Sequence, residues 1–310
     1  MKVFIDGKSG TTGLLIYDRL KTREDVELLT IPYENRRDTQ WRKKMLNSCD
    51  VAFLCLPDEG AREAVNMVEN PDVVVIDTST AHRLNFAYGF AELSNEHRIK
   101  IQNSKRIAVP GCHASGFIAL IYPLVESGLL SQDALLTCIS LTGYSGGGKN
   151  MIADYELEDR SCLLDSPRQY ALGQKHKHLP EMQAYTGLKN APIFCPIVAD
   201  YLRGMEVTVP IFKSQIKGNM DDIKNIYKQY TGLVKYVDDM SVNGFIASNA
   251  MSGFDNMFIS VDGNEDRILL TALYDNLGKG ASGAAIQCMN IAFGLPDNIG
   301  LNIGGLYENN

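Results

Sequence analysis

The residue best suited to chemistry is Cys112, in the segment Val109-Pro110-Gly111-Cys112-His113-Ala114. A thiol that follows Pro-Gly and precedes an apolar run is typical of the first turn of a helix. Free backbone N–H groups and the positive end of the helix dipole favour the thiolate at that position. Because the thiolate is the reactive form, Cys112 is the predicted nucleophile. The alternative is a small buried hydrophobic residue, since free cysteines are often buried.

A histidine pair stands in Lys175-His176-Lys177-His178-Leu179-Pro180-Glu181, in a chain with only five histidines. Alternate side chains of an extended chain point the same way, so both rings could share one face. One of them could then act as the acid/base partner of Cys112, with His178 preferred and His176 second. A metal site is the rival interpretation, but no matching Cys/His pair of ligands occurs elsewhere, and no metal is predicted. Two surface histidines are the remaining alternative.

A glycine-rich turn, Gly-Lys-Ser-Gly-Thr-Thr-Gly at residues 7–13, follows an apolar run and opens a helical pattern. This context is typical of a turn that binds the pyrophosphate of a dinucleotide. Gly7 is expected to permit the tight turn, Gly10 to admit the pyrophosphate and Gly13 to let helix and strand pack closely. Hydroxyl groups of the turn would add donors: Ser9, Thr11 and Thr12. A Walker loop is excluded because it would need a glycine where Lys2 stands.

Basic residues follow the second predicted strand at Arg36 and Arg37. Arginines there can grip a ribose 2′-phosphate, which favours NADP(H) over NAD, whereas a solvated charged loop is the alternative. Ser79 lies after a later strand, where it would flank the nicotinamide half of the cofactor. The glycine-rich turn at residues 275–284 is expected beside the cofactor as well, with contacts from Asn276 and Gly278.

Two places in the second half of the chain could bind an anion. The segment Gly-Tyr-Ser-Gly-Gly-Gly-Lys at residues 143–149 could expose backbone N–H groups, near Ser145 and Gly146, to an acyl oxyanion or a phosphate. Lys149 could bind an anionic substrate, although a plain turn would need no such role. Arg203 could clamp a carboxylate or phosphate, because a guanidinium pairs bidentately with such groups.

The elements that must position these residues alternate between short β-branched runs and helical patterns in the first part of the chain. Strands are predicted at 2–6, 26–31, 51–56, 73–77 and 106–109. Such alternation implies a Rossmann-type, doubly wound parallel sheet, with ligands beyond the carboxyl ends of its strands. Longer alternating runs after Cys112 predict an α+β catalytic domain with a largely antiparallel sheet. The predicted domains are 1–112 with 275–310 for the dinucleotide, and 113–274 for catalysis and oligomerisation.

Composition narrows the functional class. The 310 residues are 45% hydrophobic and 22% charged with a net charge of −7, which indicates a globular protein and argues against nucleic acid as a partner. Seven cysteines without a Cys-x-x-Cys pair favour free thiols in a reducing cytoplasm. The N-terminus lacks the apolar core of a signal peptide, and no run suits a membrane span.

The chain resembles the N-acetyl-γ-glutamyl-phosphate reductases of arginine biosynthesis in their short, type 2 form, within the aspartate-semialdehyde-dehydrogenase-like superfamily. Six segments carry the resemblance: residues 7–13, 77–83, 110–116, 144–149, 176–181 and 275–280. The resemblance implies that NADPH reduces N-acetyl-L-glutamyl 5-phosphate to the 5-semialdehyde, through a Cys112 thioester and with release of phosphate. It also implies a homodimer or homotetramer.

Two alternatives to this activity remain open at the level of sequence. One keeps the mechanism but uses aspartyl phosphate, or a glutamyl phosphate borne on a carrier protein. The other is a non-catalytic NADP sensor, which would need no nucleophile.

Overall fold

The computed structural model describes residues 1–305, which form two compact units. The first unit comprises Met1–Pro110 and Ala281–Leu301. The second comprises Gly111–Gly280 and the described residues from Asn302. The turn that holds Asn276 and Gly278, which the sequence analysis assigned to the dinucleotide domain, therefore lies in the second unit.

Thirteen strands and nine α-helices occur within the described residues. The strands are β1 (Lys2–Asp6), β2 (Glu27–Leu29), β3 (Val51–Leu54), β4 (Val74–Asp77), β5 (Ala87–Tyr88), β6 (Arg106–Ala108), β7 (Thr137–Gly143), β8 (Arg168–Gln169), β9 (Ile193–Ala199), β10 (Met205–Phe212), β11 (Val234–Tyr236), β12 (Met257–Gly263) and β13 (Arg267–Tyr274). The helices are α1 (Thr11–Leu20), α2 (Thr39–Ser48), α3 (Asp58–Met67), α4 (Asn95–Asn103), α5 (Cys112–Glu126), α6 (Gly148–Glu156), α7 (Leu179–Thr186), α8 (Met220–Tyr227) and α9 (Gly283–Ala292).

The first unit contains a six-stranded sheet in the order β2-β1-β3-β4-β6-β5, in which every pairing is parallel. Alternate residues of its strands enter two different apolar clusters. Val3 and Phe53 pack with side chains of α1, α4 and α9, whereas Phe4 and Ala52 pack with side chains of α2 and α3. Burial on both faces explains the continuous β-branched runs. The predicted doubly wound parallel sheet is confirmed.

The second unit contains a seven-stranded sheet in the order β11-β12-β13-β10-β7-β9-β8. Its pairings are antiparallel except for β11 with β12 and β7 with β9. The prediction of a largely antiparallel sheet is therefore confirmed. One face packs against α5, whose Gly116 lies against Val207 of β10. The alternating burial along β7 and β10 shows that the other face of these strands is only partly buried.

Candidate active site

The predicted nucleophile is the first residue of a helix in the second unit. α5 begins at Cys112, and Gly111 is its N-cap residue. The carboxylate of Glu181, which is 1% exposed, accepts a 3.0 Å hydrogen bond from the N–H of Gly111. A Cβ at Gly280 would lie 3.0 Å from that of Cys112, so this glycine leaves room for the thiol. Cys112 itself is partly exposed and forms no disulfide bond among residues 1–305.

A tyrosine hydroxyl enters the first turn of α5. The O–H of Tyr274 donates to the carbonyl oxygen of Cys112 at 2.5 Å, and its oxygen accepts from the N–H of Gly116 at 3.0 Å. In an uninterrupted helix the N–H of Gly116 would bond directly to that carbonyl. Burial, and then the nearby Cys112 thiolate, raise the pKa of Tyr274 well above its usual value, so the hydroxyl remains neutral. Tyr274 thus fixes the turn that carries the nucleophile.

The two predicted acid/base histidines contact each other. The ring centroids of His176 and His178 are 4.6 Å apart. Their arrangement does not come from an extended chain, because His178 has helical backbone angles at the N-cap of α7. Its backbone N–H donates to Nδ1 of His176 at 3.1 Å. Since Nδ1 accepts, neutral His176 carries its proton on Nε2.

A third histidine, which the sequence analysis left without a role, completes the cluster. The ring centroid of His113 lies 5.7 Å from that of His176 and 5.6 Å from that of His178. Burial, and then the charge of His176, lower the pKa of His113 to about 3, so its ring is neutral. Nδ1 of His113 lies 2.6 Å from the hydroxyl of Ser140, and Nε2 lies 2.8 Å from that of Tyr170.

Arg203, one of the predicted anion ligands, is held in place by a buried carboxylate. Its Nε donates to Asp275 at 2.5 Å, and the same carboxylate oxygen accepts from the N–H of Gly253. The side chain of Asp275 is fully buried and that of Arg203 is 19% exposed. The buried Nη2 of Arg203 has no hydrogen-bond partner among residues 1–305. One edge of the guanidinium is thus fixed, while the other retains a donor for an added anion.

The other predicted anion ligands differ in exposure. Ser145 is 2% exposed, and its hydroxyl accepts a 3.0 Å hydrogen bond from the amide of Asn276. The same amide accepts from the N–H of Gly204, so Asn276 joins two loops of the second unit. Gly146 and Lys149 are exposed, with Lys149 in the first turn of α6. Asn276 and Gly278 were expected as cofactor contacts, and that role stays a prediction.

The glycine turn of the first unit has little room for side chains at two of its three glycines. Gly7 has a φ of +86°, and a Cβ there would overlap the carbonyl oxygen of Cys55. A Cβ at Gly13 would lie 2.6 Å from the carbonyl oxygen of Gly7, so this glycine lets helix and strand approach. A Cβ at Gly10 would meet no atom closer than 3.4 Å, so the protein itself does not require a glycine there.

An orphaned hydroxyl lies at the same turn. The buried Oγ1 of Thr11, the first residue of α1, has no hydrogen-bond partner within the described part of the chain. A helix N-terminus with unused donors suits a phosphate group. Ser9 is exposed and Thr12 is partly exposed in the same turn. These features fit a bound pyrophosphate.

The remaining predicted cofactor contacts also lie in the first unit. The Ser79 hydroxyl donates to Asp77 at 2.8 Å, and His82 Nδ1 lies 2.7 Å from the same carboxylate. Arg36 and Arg37 are exposed. The Arg36 guanidinium lies 3.8 Å above the Tyr33 ring and donates to the Tyr33 carbonyl. Ser79 is thus engaged by its own turn, whereas the two arginines remain accessible.

Among residues 1–305 no helix has both the length and the apolar character to cross a membrane. No cluster of three or more His, Cys, Asp or Glu side chains in this part of the chain could hold a metal ion.

Family models match both units. Residues 2–101 match the NAD binding domain of semialdehyde dehydrogenase, and residues 112–276 match the semialdehyde dehydrogenase dimerisation domain.

Named relatives match almost the full chain. The N-acetyl-gamma-glutamyl-phosphate reductase of Trichormus variabilis is 40% identical, over 97% of this chain and 99% of its own length. The reductase of the same name from Brucella ovis is 42% identical, over 94% of this chain and 99% of its own.

Solved structures share the fold at low sequence identity. Aspartate semialdehyde dehydrogenase II of Vibrio cholerae, complexed with ASA, has a TM-score of 0.70 at 15% identity, over 94% of this chain and 98% of that one. The Candida albicans aspartate semialdehyde dehydrogenase, solved with NADP, has a TM-score of 0.67 at 18% identity, over 96% of this chain and 99% of that one.

Proposed function

The chain belongs to the N-acetyl-gamma-glutamyl-phosphate reductases, and from this premise we propose how its residues perform the reaction. It is an oxidoreductase of arginine biosynthesis that converts N-acetyl-L-glutamyl 5-phosphate to N-acetyl-L-glutamate 5-semialdehyde and phosphate. The observation that supports the mechanism is the position of Cys112 at the start of α5, in the same unit as a cluster of three histidines.

Cys112 acts as the nucleophile. Its thiolate attacks the acyl carbon, a C–S bond forms, and the C–O bond to the phosphate breaks, which yields a thioester and inorganic phosphate. After reduction of the acyl carbon, the thiohemiacetal oxyanion collapses. The C–S bond then breaks, the aldehyde leaves, and the thiolate is restored. The helix N-terminus favours the thiolate at the start and at the end of this cycle.

His178 accepts the proton of the Cys112 thiol as the nucleophile forms and returns it to the thiolate sulfur after the aldehyde leaves, with His176 as the second candidate. Geometry favours His178 because Nδ1 of His176 already accepts the backbone N–H of His178. His176 then serves to orient its neighbour. The rings of the two histidines contact each other, and we propose this division of roles between them.

Arg203 binds an anionic group of the substrate. Its Nε donates to Asp275, and its buried Nη2 has no hydrogen-bond partner in the described part of the chain. A carboxylate or phosphate oxygen would supply that partner. Ser145, Gly146 and Lys149 are the further substrate contacts that we propose.

The cofactor is a nicotinamide dinucleotide, and we propose NADP(H). When bound, it supplies the hydride that reduces the acyl carbon. Gly10 and Thr11 of the glycine turn would receive its pyrophosphate, because Gly10 is unobstructed and the Thr11 hydroxyl lacks a partner among residues 1–305. Arg36 and Arg37, both exposed, would bind the 2′-phosphate.

The protein assembles through the second unit, which matches a dimerisation domain. We propose a homodimer, or a homotetramer built from two such dimers. Apolar side chains on the partly buried face of the sheet support this assembly, since Ile193 is 62% exposed and Phe212 is 61% exposed. A second copy of this face would cover them.

The test of the mechanism uses the acyl phosphate without NADPH. The wild-type chain should release about one phosphate per Cys112 thiol and retain the acyl group, which mass spectrometry of the intact protein would detect. The Cys112→Ser variant should release none above the spontaneous rate. Equal phosphate release by the two proteins would overturn the thioester mechanism.

A further inference from the structure

A chain of three side chains in the second unit leads from the sheet toward Cys112. Ser140 of β7 is fully buried and contacts His113 of α5, which is 3% exposed. His113 in turn contacts the hydroxyl of Tyr170. The reaction as described above uses none of the three, although His113 is the immediate neighbour of Cys112.

The hydrogen bonds decide which ring nitrogen of His113 carries the proton. The buried hydroxyl proton of Ser140 needs an acceptor, and within the described residues its only hydrogen-bond partner is Nδ1 of His113. Nδ1 therefore accepts from Ser140. Because the ring is neutral, the proton lies on Nε2, which donates to the oxygen of Tyr170.

In this tautomer the Tyr170 hydroxyl does not donate its proton to His113, so it can donate to another group. His113 is the only hydrogen-bond partner of the Tyr170 hydroxyl among residues 1–305, and in this arrangement the hydroxyl oxygen accepts. Although 36% of the Tyr170 side chain is exposed, its hydroxyl lies against the buried histidine. Its partner His113 is the residue next to Cys112 in the chain, and the charge of Cys112 contributes to the raised pKa of Tyr170. A donor without a protein acceptor is thus held near the nucleophile.

We propose that Tyr170 donates this hydrogen bond to the oxygen on the acyl carbon that Cys112 attacks, and that Ser140 and His113 are positioning residues that fix its direction. The inference rests on the proposed function, because it assigns a role at the same reacting carbon. Negative charge develops on that oxygen as the C–S bond forms, so a fixed donor stabilises the transition state more than the ground state. No proton is transferred in this role.

The protonation state of Tyr170 agrees with such a role. Burial of the hydroxyl and the charge of Cys112 both raise the pKa of Tyr170 above its usual value of about 10. The phenol therefore stays a donor throughout the neutral pH range.

The tautomer of His113 can be determined in the protein without substrate. Nitrogen-15 NMR of histidine-labelled protein distinguishes protonated from unprotonated ring nitrogens, and loss of a signal in His113→Gln assigns the residue. We expect the proton on Nε2 of His113. A proton on Nδ1 would overturn the proposal, because Tyr170 would then donate to the histidine. This result does not depend on the reaction, so it is separable from failure of the proposed function.

Steady-state kinetics test the donor role of Tyr170 and the positioning role of Ser140. Tyr170→Phe should lower kcat by about 100-fold with little change in KM, as loss of one oxyanion donor does. Ser140→Ala should lower kcat by about 3- to 10-fold, the worth of one neutral hydrogen bond. In the Tyr170→Phe background, Ser140→Ala should have no further effect, because no phenolic proton remains to be directed.

The matched control is Ser260→Ala, at another fully buried serine of the same sheet, whose hydroxyl bonds to Asp262. Its kcat should equal that of the wild type. An effect of Ser140→Ala that is equally large with and without Tyr170 would indicate a structural role and overturn the proposal. Unchanged kcat in Tyr170→Phe would overturn it as well.

Discussion

Removal of the Tyr274 hydroxyl should loosen the first turn of α5 and slow the reaction. That hydroxyl is fully buried and bonds both to the carbonyl of Cys112 and to the N–H of Gly116. Tyr274→Phe keeps the ring and removes both hydrogen bonds. At about 1 kcal/mol each, the loss is about 2 kcal/mol, which corresponds to about 30-fold faster amide exchange in that turn.

The same change should displace the sulfur of Cys112, because its own carbonyl is released. A displacement of about 1 Å at a reacting group can cost about 100-fold in rate, so we expect kcat to fall by roughly 10- to 100-fold. Hydrogen exchange by mass spectrometry on the peptide that begins α5, together with steady-state kinetics, measures both effects.

Tyr227 provides the control for this experiment. It is also fully buried, and its hydroxyl donates at 2.6 Å to the carbonyl of Leu120, about two turns further along α5. Tyr227→Phe should accelerate exchange near Leu120 by about 5-fold, from the loss of about 1 kcal/mol, and leave kcat unchanged. Two results would refute the positioning role of Tyr274. One is wild-type amide exchange and wild-type kcat in Tyr274→Phe, and the other is an equal loss of kcat in both variants.

Three further predictions concern the histidines and the arginine. His178→Ala should lower kcat by about 100-fold or more, which is the usual contribution of an acid/base group. The loss of kcat in His176→Ala should be smaller. A larger loss in His176→Ala would exchange the roles of the two histidines. Arg203→Lys should raise KM by about 10-fold, because a lysine lacks the second donor of the fork, and an unchanged KM would remove Arg203 from the substrate site. The pKa of His113 is lowered to about 3 in the folded protein, so its stabilising contribution is complete above about pH 6.5 and is lost as the pH falls toward 3. Urea unfolding midpoints of wild type and His113→Gln should therefore converge on acidification, and a constant difference would contradict the assignment.

Local sequence patterns predicted the parts of the fold that local rules determine. Alternation of β-branched runs and helices predicted the parallel sheet, because strands buried on both faces need continuous apolar residues. The segment Pro110-Gly111 predicted that a helix begins at Cys112, and it does. β1 has the predicted bounds, whereas the other four strands predicted in the first part are shorter than predicted, as for β2 at Glu27–Leu29, since strand ends depend on hydrogen bonds to the partner strand.

The features that were not predicted from the sequence depend on contacts between residues far apart in the chain. Ser140 meets His113 only because β7 lies beneath α5, and Tyr170 reaches the same histidine from a loop 57 residues further on. Tyr274 contacts Cys112 across 162 residues. No periodicity or spacing encodes such meetings. β12, at Met257–Gly263, was not singled out either, although it pairs with β13 along its whole length.

The proposed mechanism requires Cys112 to form a thioester with an N-acetylglutamyl group. The most direct measurement is the reverse reaction, in which NADPH formation is followed with N-acetylglutamate semialdehyde, NADP and phosphate, and with aspartate semialdehyde as competitor. We expect phosphate-dependent activity on the acetylated aldehyde that is lost in Cys112→Ser, while that variant still binds NADPH. Undiminished activity in Cys112→Ser, or activity on aspartate semialdehyde alone, would contradict it.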